Sequence, residues 1–270
     1  MPGMVINMIL DAIVKKTISR VEALKLIKPL EVIKREALAA LENGSSSFSF
    51  ERALEKDDIA FICEIKRASP SKGIISEDFP YLELAREYEK AGAAAISVLT
   101  EPFFFLGSDT YLREIKQSVG LPLLRKDFTI DPYQIYEAKV IGADAILLIC
   151  ALLDTAALRE YISIADQLGL SCLVEAHDET EVESALKAGA RLVGVNNRNL
   201  KTFEVNIDTS IRLKKLVPEN KLFVSESGIK TPEDIAMLRA NGANAVLIGE
   251  TLMKSGNIRE TLSGLMRKVD

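Results

Sequence analysis

From Ile59 onward one unit repeats: a short apolar run, a polar break, then an amphipathic segment with helical spacing. The apolar runs are Ile59 to Ile65, Ala94 to Leu99, Leu121 to Leu124, Ala145 to Ile149, Ser171 to Val174, Leu192 to Val195, Leu222 to Val224 and Ala245 to Ile248. The helix-period segments are Tyr81 to Lys90, Thr110 to Gln117, Pro132 to Val140, Thr155 to Leu168, Glu179 to Lys187, Ile207 to Leu216, Pro232 to Ala240 and Asn257 to Lys268. Such continuous apolar runs belong to strands buried on both faces, and their alternation with helices calls for a parallel sheet with helices outside it. The punctuation repeats as well. Ala91-Gly92-Ala93, Ile141-Gly142-Ala143, Ala188-Gly189-Ala190 and Asn241-Gly242-Ala243 each close a helix ahead of a strand, about 50 residues apart, or two βα units per period. Glycine there supplies the left-handed residue that ends a helix. Eight units stepped in pairs, with no GxGxxG turn after the first strand, predict a closed (β/α)8 barrel, the TIM barrel, over an open doubly wound sheet.

With 270 residues and 48% hydrophobic content, the chain has material for one large core, and a single domain over 1–270 is expected. Residues 1–57 differ from the rest. Met8 to Ser19 and Leu30 to Leu41 have helical spacing, Asn43-Gly44 stops the second helix, a serine-rich connector runs from Ser45 to Ser49, and Phe48 to Glu55 fits one more short helix. These make an N-terminal helical extension. A formal charge of -5, from 39 acidic and 34 basic residues, gives no basic face, so nucleic acid is not expected as a partner. No apolar run approaches about 18 residues and no leader-like pattern opens the chain, so a cytoplasmic protein without a membrane segment is expected. Cys63, Cys150 and Cys172 lie in apolar runs and read as small buried hydrophobes in a reducing compartment. His177 is the only histidine, which excludes multi-histidine metal sites, and its place before Asp178-Glu179 suggests a helix-start role. Acid–base work then falls to lysine and glutamate.

Active sites of such barrels lie at the C-terminal ends of the strands. Those ends are strongly polar: Glu64, Lys66 and Ser69 at the first; Lys126 and Asp127 at the third; Glu175 at the fifth; Asn196, Asn197 and Arg198 at the sixth; Glu226, Ser227 and Gly228 at the seventh; Gly249 and Glu250 at the eighth. Burying a charge is costly unless it is paired, so this convergence points to a binding or catalytic site. Ser225-Glu226-Ser227-Gly228 and Ile248-Gly249-Glu250 bring small residues to the two loops where this fold usually holds phosphate, so a phosphorylated small molecule is the expected ligand. Opposite them, Arg198 with Asn196 suits a carboxylate, with Phe103, Phe104, Phe105, Phe128, Leu147, Leu200 and Leu247 offering apolar walls. Between the two anion sites stand two lysines and two glutamates. Burial is expected to lower a lysine pKa towards neutrality for general acid work, with a glutamate as base.

These motifs resemble the indoleglycerol phosphate synthases of tryptophan biosynthesis. The resemblance is carried, in order, by Glu64-Ile65-Lys66-Arg67-Ala68-Ser69-Pro70-Ser71, Ser97-Val98-Leu99-Thr100-Glu101, Leu124-Arg125-Lys126-Asp127-Phe128, Val174-Glu175, Gly194-Val195-Asn196-Asn197-Arg198-Asn199-Leu200, Ser225-Glu226-Ser227-Gly228-Ile229 and Leu247-Ile248-Gly249-Glu250-Thr251-Leu252-Met253. It implies ring closure of 1-(2-carboxyphenylamino)-1-deoxyribulose 5-phosphate to indoleglycerol phosphate, with loss of carbon dioxide and water. It makes Lys126 the general acid at the carbonyl oxygen. Lys66 becomes a phosphate ligand that also serves the dehydration step, Glu175 the group that stabilises the cationic intermediate, and Glu64 a base or the orienter of Lys126. Ser69, Asn196 and Arg198 match the residues gripping the aromatic carboxylate. Pro70, Phe105, Phe128, Leu147, Leu200 and Leu247 match the ring lining, and Ser227, Gly228, Gly249 and the backbone of Glu250 match the phosphate cradle. Glu250 departs from the serine or threonine that can stand there in the family, so only its N–H is expected to face an anion. The N-terminal helices are expected to cover the C-terminal mouth of the barrel. No metal or organic cofactor is implied, because rearomatisation drives the decarboxylation. A monomer is expected, with weak association with other pathway enzymes left open. Phosphoribosylanthranilate isomerase, a Schiff-base aldolase using Lys126 or Lys66, and a non-catalytic phosphosugar-binding subunit are the alternatives; the isomerase does not require this Lys–Glu set with an arginine-based carboxylate grip.

Overall fold

The computed structural model of the protein describes residues 2–42, 47–199, 202 and 204–267. In chain order its elements are α1 (Pro2–Ile27), α2 (Leu30–Glu42), α3 (Ser49–Leu54), β1 (Ala60–Ile65), β2 (Ala68–Ser69), β3 (Gly73–Ile74), α4 (Tyr81–Lys90), β4 (Ala95–Leu99), α5 (Asp109–Ser118), β5 (Leu123–Lys126), α6 (Pro132–Val140), β6 (Ala145–Ile149), α7 (Thr155–Gln167), β7 (Ser171–Ala176), α8 (Glu179–Ala188), β8 (Leu192–Asn196), α9 (Asp208–Lys214), β9 (Leu222–Glu226), α10 (Pro232–Ala240), β10 (Ala245–Ile248), α11 (Glu250–Met253) and α12 (Ile258–Met266). Eight strands close in sequence order, β1 to β4 and on to β10 and back to β1, all parallel, while β2 and β3 form a separate antiparallel hairpin. The expected barrel is therefore the observed one. Asn43, Gly44, Ser45, Ser46, Leu200 and Lys268 lie outside the described residues.

The helices begin and end where local chemistry dictates. Asp131, Asp154 and Asp178 each accept an N–H from the first turn of α6, α7 and α8, and Thr231 with Asp234 forms a reciprocal capping box on α10. At the other ends Gly92, Gly142, Gly189 and Gly242 have φ of 91, 92, 95 and 79°, the left-handed region a side chain resists. Several boundaries differ from the sequence reading. Helix α1 is much longer than Met8 to Ser19. Strands β5, β8 and β9 run on into Lys126, Asn196 and Glu226, because the ladder continues after the apolar pattern has stopped. The β2–β3 hairpin and α11 carry no periodic signal at two to four residues each.

Period-two alternation divides each strand between two cores. Phe61, Cys63 and Ile65 face the helices, while Ala60 and Ile62 fill the barrel interior with Leu124, Ala145, Leu147, Leu173, Leu192, Val224, Ala245 and Leu247. Extending that inner register by one step brings Glu64, Lys126, Glu175, Gly194 and Glu226 to the inside at the C-terminal ends, and one step more brings Asn196.

The N-terminal extension does not act as one cover. Only α1 lies across the mouth: Arg20 donates to Asp127 (2.8 Å), Lys25 to Asp131 (2.6 Å), and Lys16 sits 5.4 Å above the Phe103 ring, all on loops at the C-terminal ends of strands. Helix α2 packs on α6. Helix α3 closes the opposite end, where Phe50 and Leu54 insert fully buried beneath Ala60, Ile62 and Ala95. Glu51 anchors it through a two-pronged pair with Arg191 (2.9 and 3.0 Å), and Arg191 in turn holds Asp166 (2.8 Å) and covers the Phe48 ring. Phe50→Ala is expected to lower the unfolding free energy by about 3–5 kcal/mol in urea titration, the cost of a large cavity in a closed core. A loss under about 1 kcal/mol would show that α3 is not the plug of that end.

Candidate active site

The C-terminal mouth opens into a cavity of about 690 Å³ roofed by Ile9, Leu10 and Ile13 of α1. Its wall collects Glu64, Lys66, Ser69, Pro70, Phe105, Lys126, Phe128, Leu147, Glu175, Asn196, Arg198, Ser227, Leu247 and Glu250 from all eight barrel strands or their loops. Of the residues singled out from the sequence, Gly228 and Gly249 border the same loops behind this wall.

Lys126 is the centre of the floor. Its Nζ donates to Glu175 Oε2 (2.9 Å) and Glu226 Oε2 (3.2 Å), and its side chain is mostly buried. Burial pulls the lysine pKa down, but the charges of Glu175, Glu226 and Glu64 outweigh it and hold the ammonium well above its ordinary value. The expectation of a lysine tuned towards neutrality is thus overturned: three carboxylates stand where two were counted on. The two partners split in response. Burial opposes ionisation of Glu175, yet Lys126 and His177 keep it well below the usual carboxylate range. Glu226, desolvated and facing Glu175 and Glu64, is pushed above that range despite the same lysine.

Glu64 does not touch Lys126. It pairs with Lys66 at 2.5 Å and lies 3.5 Å from Ser97 Oγ, so as an orienter of Lys126 it acts at a distance only, through its charge. Two glycines make room for these carboxylates: a Cβ on Gly249 would sit 2.7 Å from Glu64 Oε1, and one on Gly194 would fall on Glu226 Oε1. Asn196 donates to Glu175 (3.4 Å) and accepts the N–H of Arg198 (3.1 Å). Its neighbour Asn197 points the other way, donating to Ser225 Oγ and the carbonyl of Ser227 (both 3.0 Å) and so fixing the loop after β9. In that loop Ser227 and Gly228 both have left-handed backbones (φ 69 and 85°), the kind of turn that presents consecutive N–H groups to an anion. The Glu250 carboxylate is engaged by Lys254 (2.7 Å), Lys72 (3.7 Å) and Arg198 (4.0 Å). Arg198 thus comes within 4.0 Å of the Glu250 side chain.

The aromatic wall is built by a carboxylate. Glu101, fully buried, accepts the N–H groups of Phe103, Phe104 and Phe105 (2.9, 2.7 and 2.9 Å) and so sets Phe105 against Phe128 at 6.0 Å between ring centres. Of the three phenylalanines only Phe105 lines the cavity; Phe103 is half exposed.

Sequence reasoning missed two members. Glu226 was visible as a polar strand end but not as a partner of Lys126. His177 carries more than a helix start: Asp178 provides the cap, whereas His177 Nδ1 meets Glu181 Oε2 at 3.0 Å and Nε2 lies 3.4 Å from Glu175 Oε1. The signal was parity, since His177 follows Leu173 and Glu175 in the inward register of β7.

A closed barrel with an acid–base cluster on its floor, apolar walls and small-residue turns at β9 and β10 defines an enzyme of the phosphate-binding TIM-barrel class. Solved structures agree at the level of fold. A 3-hexulose-6-phosphate synthase from Salmonella typhimurium superposes with a TM-score of 0.64 at 15% identity, over 77% of this chain and 96% of that one. A tryptophan synthase complex from Pyrococcus furiosus gives 0.58 at 16%, over 77% and 98%. The family is settled by sequence: residues 10–265 match the family described as indole-3-glycerol phosphate synthase. Relatives bearing that name in Ruminiclostridium cellulolyticum and Endomicrobium trichonymphae are 64% and 63% identical, each over 96% of this chain and 98% and 99% of their own lengths. The chain belongs to the indole-3-glycerol phosphate synthase family. Among the described residues no helix is long and apolar enough to cross a membrane.

His177 gives the site a pH signature. Burial disfavours its charge, but the Glu175 and Glu181 carboxylates beside its two ring nitrogens raise its pKa from 6.5 to about 10. A raised folded-state pKa means that the folded protein keeps a proton the unfolded chain gives up, so the stabilisation is full below pH 6.5 and lost as pH climbs through about 10. The stability difference between wild type and His177→Ala, from urea midpoints, should shrink across that window. A difference independent of pH would show that His177 is not held charged.

Proposed function

We propose that this cavity closes the indole ring by acid–base catalysis with Lys126 as the central acid, in the family's conversion of 1-(2-carboxyphenylamino)-1-deoxyribulose 5-phosphate to indole-3-glycerol phosphate. The observation that carries the reading is Lys126 held by two carboxylates of opposite tendency, Glu175 pushed below and Glu226 above the usual carboxylate range. The phosphate is held by the turns at Ser227-Gly228 and Gly249-Glu250, with Lys66 reaching towards it from β1. The aromatic carboxylate lies against Ser69, Asn196 and Arg198, and the ring against Pro70, Phe105, Phe128, Leu147 and Leu247. Leu200, outside the described residues, is assigned to the same lining by its motif. Glu250 contributes backbone only, since its carboxylate is already committed to cations.

In the first step the ring carbon bearing the carboxylate attacks the substrate carbonyl carbon, and Lys126 delivers a proton to the oxygen as it becomes an alkoxide. A lysine of raised pKa suits that acceptor, because an alkoxide is a stronger base still. The positive charge that develops on the anilino nitrogen and ring is met by Glu175, oriented before the reaction by Lys126 and Asn196. Carbon dioxide then leaves, its bonding pair restoring the aromatic ring. In the dehydration that follows, Lys66 or Glu226 protonates the departing hydroxyl and Glu64, paired with Lys66, receives the proton lost from the methylene carbon. Helix α1 excludes water from these steps. The finer reading is of one domain over 1–270 with 1–57 as its extension, a monomer in the cytoplasm with weak association with other pathway enzymes at most.

Turnover is read as indole fluorescence on adding substrate with EDTA present. Lys126→Ala should lose about 10²–10⁴-fold in kcat; a loss under tenfold removes Lys126 from the acid role. Deleting residues 1–28 strips the apolar roof and should raise KM about tenfold or more, roughly the burial of one aliphatic side chain, while the barrel still unfolds cooperatively. Unchanged KM would mean that α1 is not part of the working site.

A further inference from the structure

The ring closure consumes one more proton than it returns. The carbonyl oxygen leaves as water after taking up two protons, the methylene carbon next to nitrogen gives back one, and the carboxylate departs as neutral carbon dioxide, leaving its electron pair in the ring. One proton per turnover must therefore reach the floor of the cavity from bulk water. Lys126, once it has donated, is a neutral amine bonded to Glu175 and Glu226, both nearly buried.

One line of titratable groups along the cavity wall joins this floor to the rim. Glu181 Oε2 lies 3.0 Å from His177 Nδ1, His177 Nε2 lies 3.4 Å from Glu175 Oε1, and Glu175 Oε2 lies 2.9 Å from Lys126 Nζ. Side-chain exposure falls in that order, 21% at Glu181, 12% at His177 and 5% at Glu175. His177 Nε2 is buried and makes no hydrogen bond of ordinary geometry, so its proton faces Glu175 alone. Glu181 is fixed by the backbone N–H of His177 (2.8 Å), and its carbonyl accepts from Cys150 Sγ (3.5 Å). Asp178, which caps α8, and Arg212 of α9 are the other charged groups on this side of the cavity.

We propose that Glu181 and His177 are a proton-entry relay that recharges Lys126 through Glu175 after each turnover. The inference rests on the acid role read for Lys126 above. His177, as imidazolium, gives its Nε2 proton to Glu175, and the Glu175 carboxyl turns to deliver it to the Lys126 amine. The neutral imidazole keeps its Nδ1 proton, so the ring swings to bring the free Nε2 towards Glu181, takes up a proton from water there, and swings back to the starting arrangement. No electron changes hands, and the transfer runs towards the amine whose proton is held most strongly.

The test compares wild type, His177→Ala and Glu181→Gln in the full chain, with enzyme in excess and then at steady state. Lys126 is already charged in the resting enzyme, so in Glu181→Gln the first turnover should proceed at close to the wild-type rate while kcat falls roughly 10–100-fold with KM within about twofold; in His177→Ala, where Glu175 also loses a neighbouring charge, the first turnover should fall by less than kcat does. Added imidazole should restore kcat of His177→Ala with rising concentration. A first turnover slowed in proportion to kcat and no rescue by imidazole would leave His177 a positioning residue for Glu175 and overturn the relay, as would wild-type kcat in Glu181→Gln. Should His177→Ala fail to fold, Glu181→Gln decides alone, since it keeps a hydrogen-bond acceptor for His177. A wild type that makes no indoleglycerol phosphate sinks the functional reading itself; an active wild type with neither variant impaired sinks only the relay.

Discussion

A single ammonium shared by two buried carboxylates organises the floor of this barrel. One lysine can neutralise only one of them, so the second rises in pKa, and the pair contains one carboxylate held below the usual range and one pushed above it. What makes the arrangement affordable is that further positive charge stands near: Lys66 on Glu64 and His177 between Glu175 and Glu181. The cluster is richer in acids than in bases, so it is prepared for a reaction in which cationic character appears on the bound molecule. Preorganised charge of that sign needs no rearrangement when the transition state forms.

The backbone supplies this cluster through parity. A parallel strand sends every second side chain inward, and in a closed barrel all inward side chains at one level meet. The apolar layer of Ile62, Leu124, Leu173, Leu192 and Val224 is followed, two residues on in each strand, by Glu64, Lys126, Glu175, Gly194 and Glu226. Gly194 is as much a part of that layer as the charged groups are. With a side chain there Glu226 would be displaced, and with one at Gly249 Glu64 would be. Space for carboxylates, and not turning of the chain, explains both glycines.

Much of this was legible in the sequence because the same grammar repeats. Tyr81–Lys90, Pro132–Val140 and Pro232–Ala240 begin and end as read, since proline or an aspartate or threonine cap marks the start and a glycine in left-handed conformation follows the end. The strand ends were harder: Lys126, Asn196 and Glu226 break the apolar run, so the strands seemed to stop where the chemistry starts. Local pattern and function disagree there for a physical reason, because a site must put charge where folding alone prefers hydrocarbon. Which carboxylate meets which lysine was not legible at all. That Glu64 takes Lys66 while Glu175 and Glu226 take Lys126, and that Arg198 stands by Glu250, depends on registers between strands distant in sequence. The lysine pKa was misjudged for the same cause, burial having been weighed against too few neighbours.

The extension shows how one stretch of chain can serve both ends of a barrel. Phe50 and Leu54 of α3 fill the end where stability is made, and α1 reaches across to the end where chemistry is done. The link at the mouth is a buried chain of polar groups. Arg20 of α1 binds Asp127, Asp127 accepts from Thr100 Oγ1 (2.9 Å), and Thr100 accepts from Arg125 Nε (3.2 Å), whose other nitrogens hold Glu137, Asp109 and the carbonyl of Gln134. Asp127 stands between Lys126 and Phe128, its side chain held by Arg20 and Thr100 while Lys126 reaches the carboxylates of the floor. Seating α1 over the mouth and fixing the strand end that carries the acid are therefore one interaction. Water is excluded by the same contact that holds Lys126 in register, and in a drier cavity each of the carboxylates around that lysine acts on it more strongly.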